Sequence, residues 1–130
     1  MKYIVTLMIL IILLVGCASL DQVRTKNREN LVRLSIGMPK SEVLQVMGAE
    51  TITVDTGNQI NNPYRVETLK GKDGQVYEVL FYYTDVKKID YAITDDELTP
   101  IVIENGKVIG WGWGFLNDNV TKYKYQIDIR

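Results

Sequence analysis

LTPIVIENGKVIGWGW, residues 98–113, is the stretch whose reading decides the fold. Asn105-Gly106 fits a two-residue type I′ turn, which needs positive φ at both central positions. A hairpin closed there sets Glu104 opposite Lys107, Ile103 opposite Val108, Val102 opposite Ile109 and Ile101 opposite Gly110. Pro100 then meets Trp111, and Leu98 meets Trp113. One face carries Ile101, Ile103 and Val108 beside the bare backbone of Gly110 and Gly112. A helix can approach closely there. The other face gathers Leu98, Pro100, Val102, Ile109, Trp111 and Trp113, with Phe115 just beyond, and is the candidate partner-binding face. The alternative puts the tryptophans in the core and the glycines outside, in keeping with how often Trp is buried.

Outward from the hairpin, QVYEVLFYYT (residues 75–84) is apolar on both faces, with Tyr77, Val79, Phe81 and Tyr83 on one and Val76, Leu80 and Tyr82 on the other. Such a strand is central and covered twice, or has one side in the core and the other in a contact surface. Gly71-Lys72-Asp73-Gly74 joins it to residues 64–70 as a hairpin. TITVDT (51–56) alternates as a strand, and GNQINNP (57–63) reads as a loop on composition. Residues 85–97 form a charged connection that ends in Asp95-Asp96-Glu97, read as a solvated loop. TKYKYQIDI (121–129) alternates Tyr123, Tyr125, Ile127 and Ile129 against Lys122, Lys124, Gln126 and Asp128. It is a final strand, covering one flank of the sheet or pairing with another protein, and its lysines discourage edge-to-edge association.

Upstream, Asn27 or Asn30 caps a short helix carrying Leu31, Val32 and Leu34. Pro39 opens a second helix with Glu42 in its first turn, an apolar stripe of Val43, Leu44 and Met47, and Gly48 at its stop. The expected fold class is α+β: two N-terminal helices packed on one face of an antiparallel sheet of three to five strands.

Composition excludes several function classes. The chain has 130 residues, 15 basic and 16 acidic, a net charge of −1, one cysteine and no histidine. A near-neutral balance gives no electrostatic footprint for nucleic acid. Without histidine the commonest general base and the imidazole metal ligand are missing, and one thiol makes neither a disulfide framework nor a cysteine-rich zinc site. Asp95-Asp96-Glu97 is the one acidic cluster, a weak cation signal without a glycine-turn ligand pattern. The expectation is a protein that is not an enzyme and carries no cofactor or metal.

At the N-terminus, Met1-Lys2 precedes the uncharged apolar run YIVTLMILIILLV (residues 3–15) and the small residues Gly16-Cys17-Ala18-Ser19. This is the layout of a secretory signal; an uncleaved membrane helix is the alternative. Leu14-Val15-Gly16-Cys17 resembles the lipobox of bacterial lipoproteins. That resemblance implies cleavage before Cys17 and acylation of its sulfur and amine, so the partner at this point is the lipid bilayer. Each buried methylene contributes roughly 0.8 kcal/mol, and two or more chains hold firmly where one does not. Ala18 stands where Gram-negative lipoproteins retained at the inner membrane carry Asp, which implies the periplasmic side of the outer membrane. The chain divides into a signal peptide (1–16), an acylated cysteine and short tether (17–28) and a single domain (29–130).

LVRLSIGMPKSEVLQVMGAE (residues 31–50) resembles the SmpA/OmlA (BamE-like) family of small envelope lipoproteins through Leu34, Gly37, Met38, Glu42, Val43, Met47 and Gly48. Pro39 replaces the usual Thr or Ser cap, and Ala49-Glu50 replaces the customary closing residue and Pro. VLFYYT and DELTPIVIENGKVIGWG look more like a related set of small Gram-negative lipoproteins. The resemblance implies two helices on an antiparallel sheet and a protein-binding or scaffold role among other envelope proteins. An enzyme-inhibitor or small-ligand-binding module of the β-lactamase-inhibitor type is the second reading.

Overall fold

The computed structural model describes residues 18–90 and 92–120. The expected signal peptide, Cys17 and the expected strand at 121–129 lie outside them. The first element is helix α1, Leu20–Leu31. The backbone N–H of Gln22 donates to Ser19 Oγ at 3.2 Å, and the N–H of Ser19 donates to Gln22 Oε1 at 2.9 Å. This capping box satisfies two N–H groups that the first turn leaves without partners. The segment read as a tether is therefore helical almost from its start. The proposed caps Asn27 and Asn30 lie inside the helix, and Val32 and Leu34 lie beyond its end.

Helix α2, Lys40–Met47, begins after Pro39 and stops at Gly48, whose φ of +96° suits glycine. Between the helices, residues 37–40 run beside strand β6 (Lys107–Trp111). Gly37 N–H donates to Val108 O (2.8 Å), Val108 N–H to Met38 O (2.9 Å) and Lys40 N–H to Gly106 O (2.8 Å).

Strands β1 (Glu50–Thr53) and β2 (Gln59–Asn62) pair antiparallel as a small sheet of their own. β2 lies within the segment read as a loop. Its inward positions are Ile60 and Asn62, both buried, and the polar Asn62 at a core position broke the alternation that would have revealed it. The main sheet has four antiparallel strands in the order β3 (Arg65–Lys70), β4 (Val76–Tyr83), β5 (Leu98–Glu104), β6. The architecture is thus α+β with antiparallel sheets, and the main sheet falls within the expected strand number.

The hairpin turn is as expected, with Asn105 at φ 51° and Gly106 at 76°, but the register holds for only two pairs. Glu104 meets Lys107 and Ile103 meets Val108, and then Val102 meets Gly110 and Ile101 meets Trp111. Ile109 is the extra residue of a β-bulge. A one-residue slip moves every later side chain to the opposite face. Trp111 therefore joins Ile101, and Gly110 moves to the face of Val102.

Two apolar clusters follow. One contains Leu34, Met38, Val43, Met47, Leu80, Tyr82, Ile101, Ile103 and Val108, with Trp111 packed against it. The other contains Val23, Val54, Ile60, Tyr77, Val79, Phe81, Tyr83, Leu98, Val102, Leu116 and Val120. Leu116 belongs to a third helix, α3, Trp113–Asn119, where the sequence reading continued the strand as far as Trp113. Cluster membership divides the N-terminal helices: α2 contributes to the first, and α1 contributes Val23 to the second. The Phe115 ring of α3 lies close over Gly110, since a Cβ there would sit 2.6 Å from it.

Two outcomes follow. Gly110→Ala should destabilise the fold by about 1–3 kcal/mol, the range for overpacking. In urea titrations, adding Phe115→Leu should recover part of that loss. The Tyr77 hydroxyl donates to Asp73 Oδ2 at 2.8 Å. That hydrogen bond, burial and the nearby carboxylate charge push Tyr77 up to about 12 from its ordinary 10.0. Its contribution is complete below the unfolded value and fades as pH rises from 10.0 toward 12. Tyr77→Phe should flatten that part of the stability–pH curve measured by circular dichroism.

Candidate functional site

A groove of about 500 Å³ opens between α1, the end of α2 and β1. Its floor is a polar junction that ties four parts of the chain together. Asn27, 2 % exposed, projects from α1 one turn after Val23. Its Nδ2 donates to Asn62 Oδ1 at 2.9 Å and to the carbonyl of Tyr83 at 2.8 Å. Asn62 Nδ2 donates to the carbonyl of Met47 at 2.9 Å, and the Tyr82 hydroxyl donates to the carbonyl of Gly48 at 2.7 Å. The last carbonyls of α2 thus find side-chain donors in place of further helix. Burial pushes the Tyr82 hydroxyl well above its ordinary range.

The rim is mixed. Gln22, Lys26 and Asn30 come from α1, Gln45 from α2, and Glu50 and Thr51 from β1, while Val23, Met47 and Ile52 supply apolar wall. Amides, a hydroxyl, one ammonium and one carboxylate around an apolar wall are equipment for binding by hydrogen bonds. Beside the groove, Arg24 donates to the Tyr83 hydroxyl at 2.8 Å, lies over that ring at 5.3 Å and pairs with Asp21.

The candidate partner-binding face does not assemble as drawn. Leu98, Pro100 and Val102 are buried, and Ile109, Trp111, Trp113 and Phe115 are half-buried. Trp113 donates its indole N–H to the carbonyl of Leu98 at 2.8 Å and packs 5.8 Å from Phe81. Phe115 lies against Gly110, and the bulge carries Trp111 to the other face. Three of the seven residues are thus buried outright, and the other four keep part of their surface exposed. Cys17 lies outside the described residues.

The acidic run is a structural joint and differs from the solvated loop expected. Glu97, 2 % exposed, accepts from Thr94 N–H and from Lys87 N–H, both at 3.0 Å, and from Thr94 Oγ1. Asp95 is buried and accepts from Arg65 at 2.5 Å, and that guanidinium lies 4.4 Å over the Phe81 ring. Among the described residues no three His, Cys, Asp or Glu side chains are grouped to hold a metal ion.

Residues 16–117 match the family described as a protein of unknown function (DUF3192). The chain belongs to that family. The match runs from Gly16 to Asn117 and takes in the groove, both sheets and the first part of α3. No curated protein and no solved structure matches this DUF3192 chain.

Asn27 and Asn62 are the site residues that the sequence reading passed over. Ser19-Asp21-Gln22 held the missing signal. A capping box starting at Ser19 puts Val23 and Asn27 four residues apart on one helical face. Asn27→Ala strands Asn62 Oδ1 and the Tyr83 carbonyl without a donor. It should cost about 2–4 kcal/mol in urea unfolding, whereas Lys26→Ala on the rim should stay within about 0.5 kcal/mol of wild type.

Proposed function

We propose that this DUF3192 protein is a non-enzymatic, lipid-anchored component of the cell envelope that binds other proteins, held through acylated Cys17 at the periplasmic side of the outer membrane. The Leu14-Val15-Gly16-Cys17 sequence carries this reading, and the setting of the next residue supports it. Ala18 bridges Val54 in parallel register, its carbonyl accepts from Asp55 N–H at 3.0 Å, and Ser19 is already the cap of α1. An acyl-bearing residue at 17 then joins a fixed backbone with no slack, and the body is held against the bilayer surface. None of the described helices is long and apolar enough to cross a membrane.

The finer layout goes with the kinship to the SmpA/OmlA (BamE-like) lipoproteins that we propose. In it α2, with the Leu31 end of α1, is the helical layer over the Leu80–Tyr82 face of β4. Val43, Met47 and the partly buried Leu31 in one cluster with Leu80 and Tyr82 support this. The groove favours a second reading, a small-ligand-binding or enzyme-inhibitor module, because its amide-rich rim and buried Asn27–Asn62 floor are suited to a polar guest.

In cells fed radioactive palmitate, the wild-type chain should take up label and sediment with membranes. Cys17→Ser should lose the label and move to the aqueous fraction. Undiminished labelling of Cys17→Ser would remove the anchor from consideration.

A further inference from the structure

Strand β1 is the edge of the small sheet, with β2 on one side of it. Which of its backbone groups face away from β2 follows from the ladder. Val54 N–H donates to Asn58 O at 2.9 Å, one step beyond the Thr53–Gln59 pair. Hydrogen-bonded pairs alternate in an antiparallel ladder. Val54, Ile52 and Glu50 therefore turn their backbone groups to β2, and Asp55, Thr53 and Thr51 turn theirs outward. The outward side already holds extended chain at one end. Asp55 N–H donates to Ala18 O at 3.0 Å, and Ala18 bridges Val54 in parallel register. Further along, the backbone groups of Thr51 have no hydrogen-bond partner among the described residues.

The groove lies against this open stretch. Glu50, Thr51 and Ile52 form one bank, and Val23, Lys26 and Asn27 of α1 line the other. A volume of about 500 Å³ suits one small ligand or a few residues of chain, and a folded domain cannot enter it. We propose that the groove takes an extended segment of a partner protein, which adds to β1 at Thr51 as a third strand of the small sheet. This site rests on the reading of the chain as one that binds other proteins.

The geometry specifies the guest. Main-chain bonds to the Thr51 N–H and carbonyl give affinity whatever the guest's sequence, and its alternate side chains give specificity. Glu50 and Ile52 share a face with their partners Asn62 and Ile60, both buried. The guest residues on either side of the one bonded to Thr51 turn their side chains to that same face, where the floor lies. Val23, Met47 and Ile52 receive a small apolar side chain there. Asn27 spends both Nδ2 protons, on Asn62 Oδ1 and on the Tyr83 carbonyl, and its Oδ1 accepts from no described residue. That oxygen and the Glu50 carboxylate are both acceptors, so the second inward side chain is a donor: a hydroxyl, an amide or an ammonium. The partner segment thus carries an apolar residue and a donor two positions apart.

A phage-displayed library of random dodecapeptides, selected on the full chain, tests this. Enriched peptides are resynthesised with both ends capped, as an internal stretch of a protein is, and titrated by calorimetry. A capped peptide with the apolar–x–donor pattern should bind saturably. Thr51→Pro removes the N–H that faces the groove and costs β1 no bond to β2. It should weaken the peptide by about tenfold or more. Hydrogen exchange on the wild-type chain supplies a readout that needs no variant to fold: adding the peptide should slow the Thr51 amide by about tenfold or more.

No enriched peptide, or binding that requires a free terminus, overturns the proposal. A peptide that binds Thr51→Pro equally well and leaves the Thr51 amide unchanged also overturns it, while protein binding through another surface would stand. Loss of anchoring in the palmitate experiment bears on neither outcome.

Discussion

A strand with large apolar side chains on both sides has to be covered twice, and β4 imposes that requirement on the rest of the molecule. Val79, Phe81 and Tyr83 point one way, Leu80 and Tyr82 the other, and all five are buried. At roughly 25 cal/mol per Å² of apolar surface, leaving either face wet would cost several kcal/mol, a large part of a small domain's stability. Two buried clusters divide the task. Leu34, Met38, Val43 and Met47 share one with Leu80 and Tyr82, while Val23, Val54, Ile60, Leu116 and Val120 share the other with Val79, Phe81 and Tyr83.

Dividing the cover leaves a seam, and the asparagine pair closes it. Asn27 and Asn62 sit where α1, the end of α2, β2 and the end of β4 converge, each offering a donor to a carbonyl that has run out of regular partners. Apolar side chains at those two positions would leave the carbonyls of Met47 and Tyr83 dry and unpaired, at about 1–3 kcal/mol each. The same junction forms the floor of the groove. The groove is thus a by-product of how the layers are joined as well as a place where a polar guest can sit.

The sequence discloses elements whose signals are local. The Asn105-Gly106 turn, the Gly71–Gly74 turn, the both-faced β4 and the Pro39-to-Gly48 helix are each read from residues within a few positions of one another, and each stands in the structure. What sequence reasoning missed depends on distant contacts. The bulge at Ile109 lets Gly110 face Phe115, and nothing between Asn105 and Trp113 announces it. Asn62 interrupts the pattern of β2 because its partner is a side chain 35 residues away. Asp95 and Glu97 look solvated until Arg65 and the backbone of Lys87 and Thr94 close around them. The candidate partner-binding face is not assembled as drawn for the same reason, since the register that created it ends after its second pair.

The segment at 37–40 has a further effect through the edge it occupies. A sheet grows into a fibre only if each added copy leaves a fresh ladder for the next, which takes two available sides. With the β6 side spoken for inside the chain, at most one side of the four described strands is left, and a ladder docked there would end in a pair of molecules related by a two-fold axis and stop. A few backbone hydrogen bonds from the segment between α1 and α2 thereby guard the four-stranded sheet against open-ended stacking.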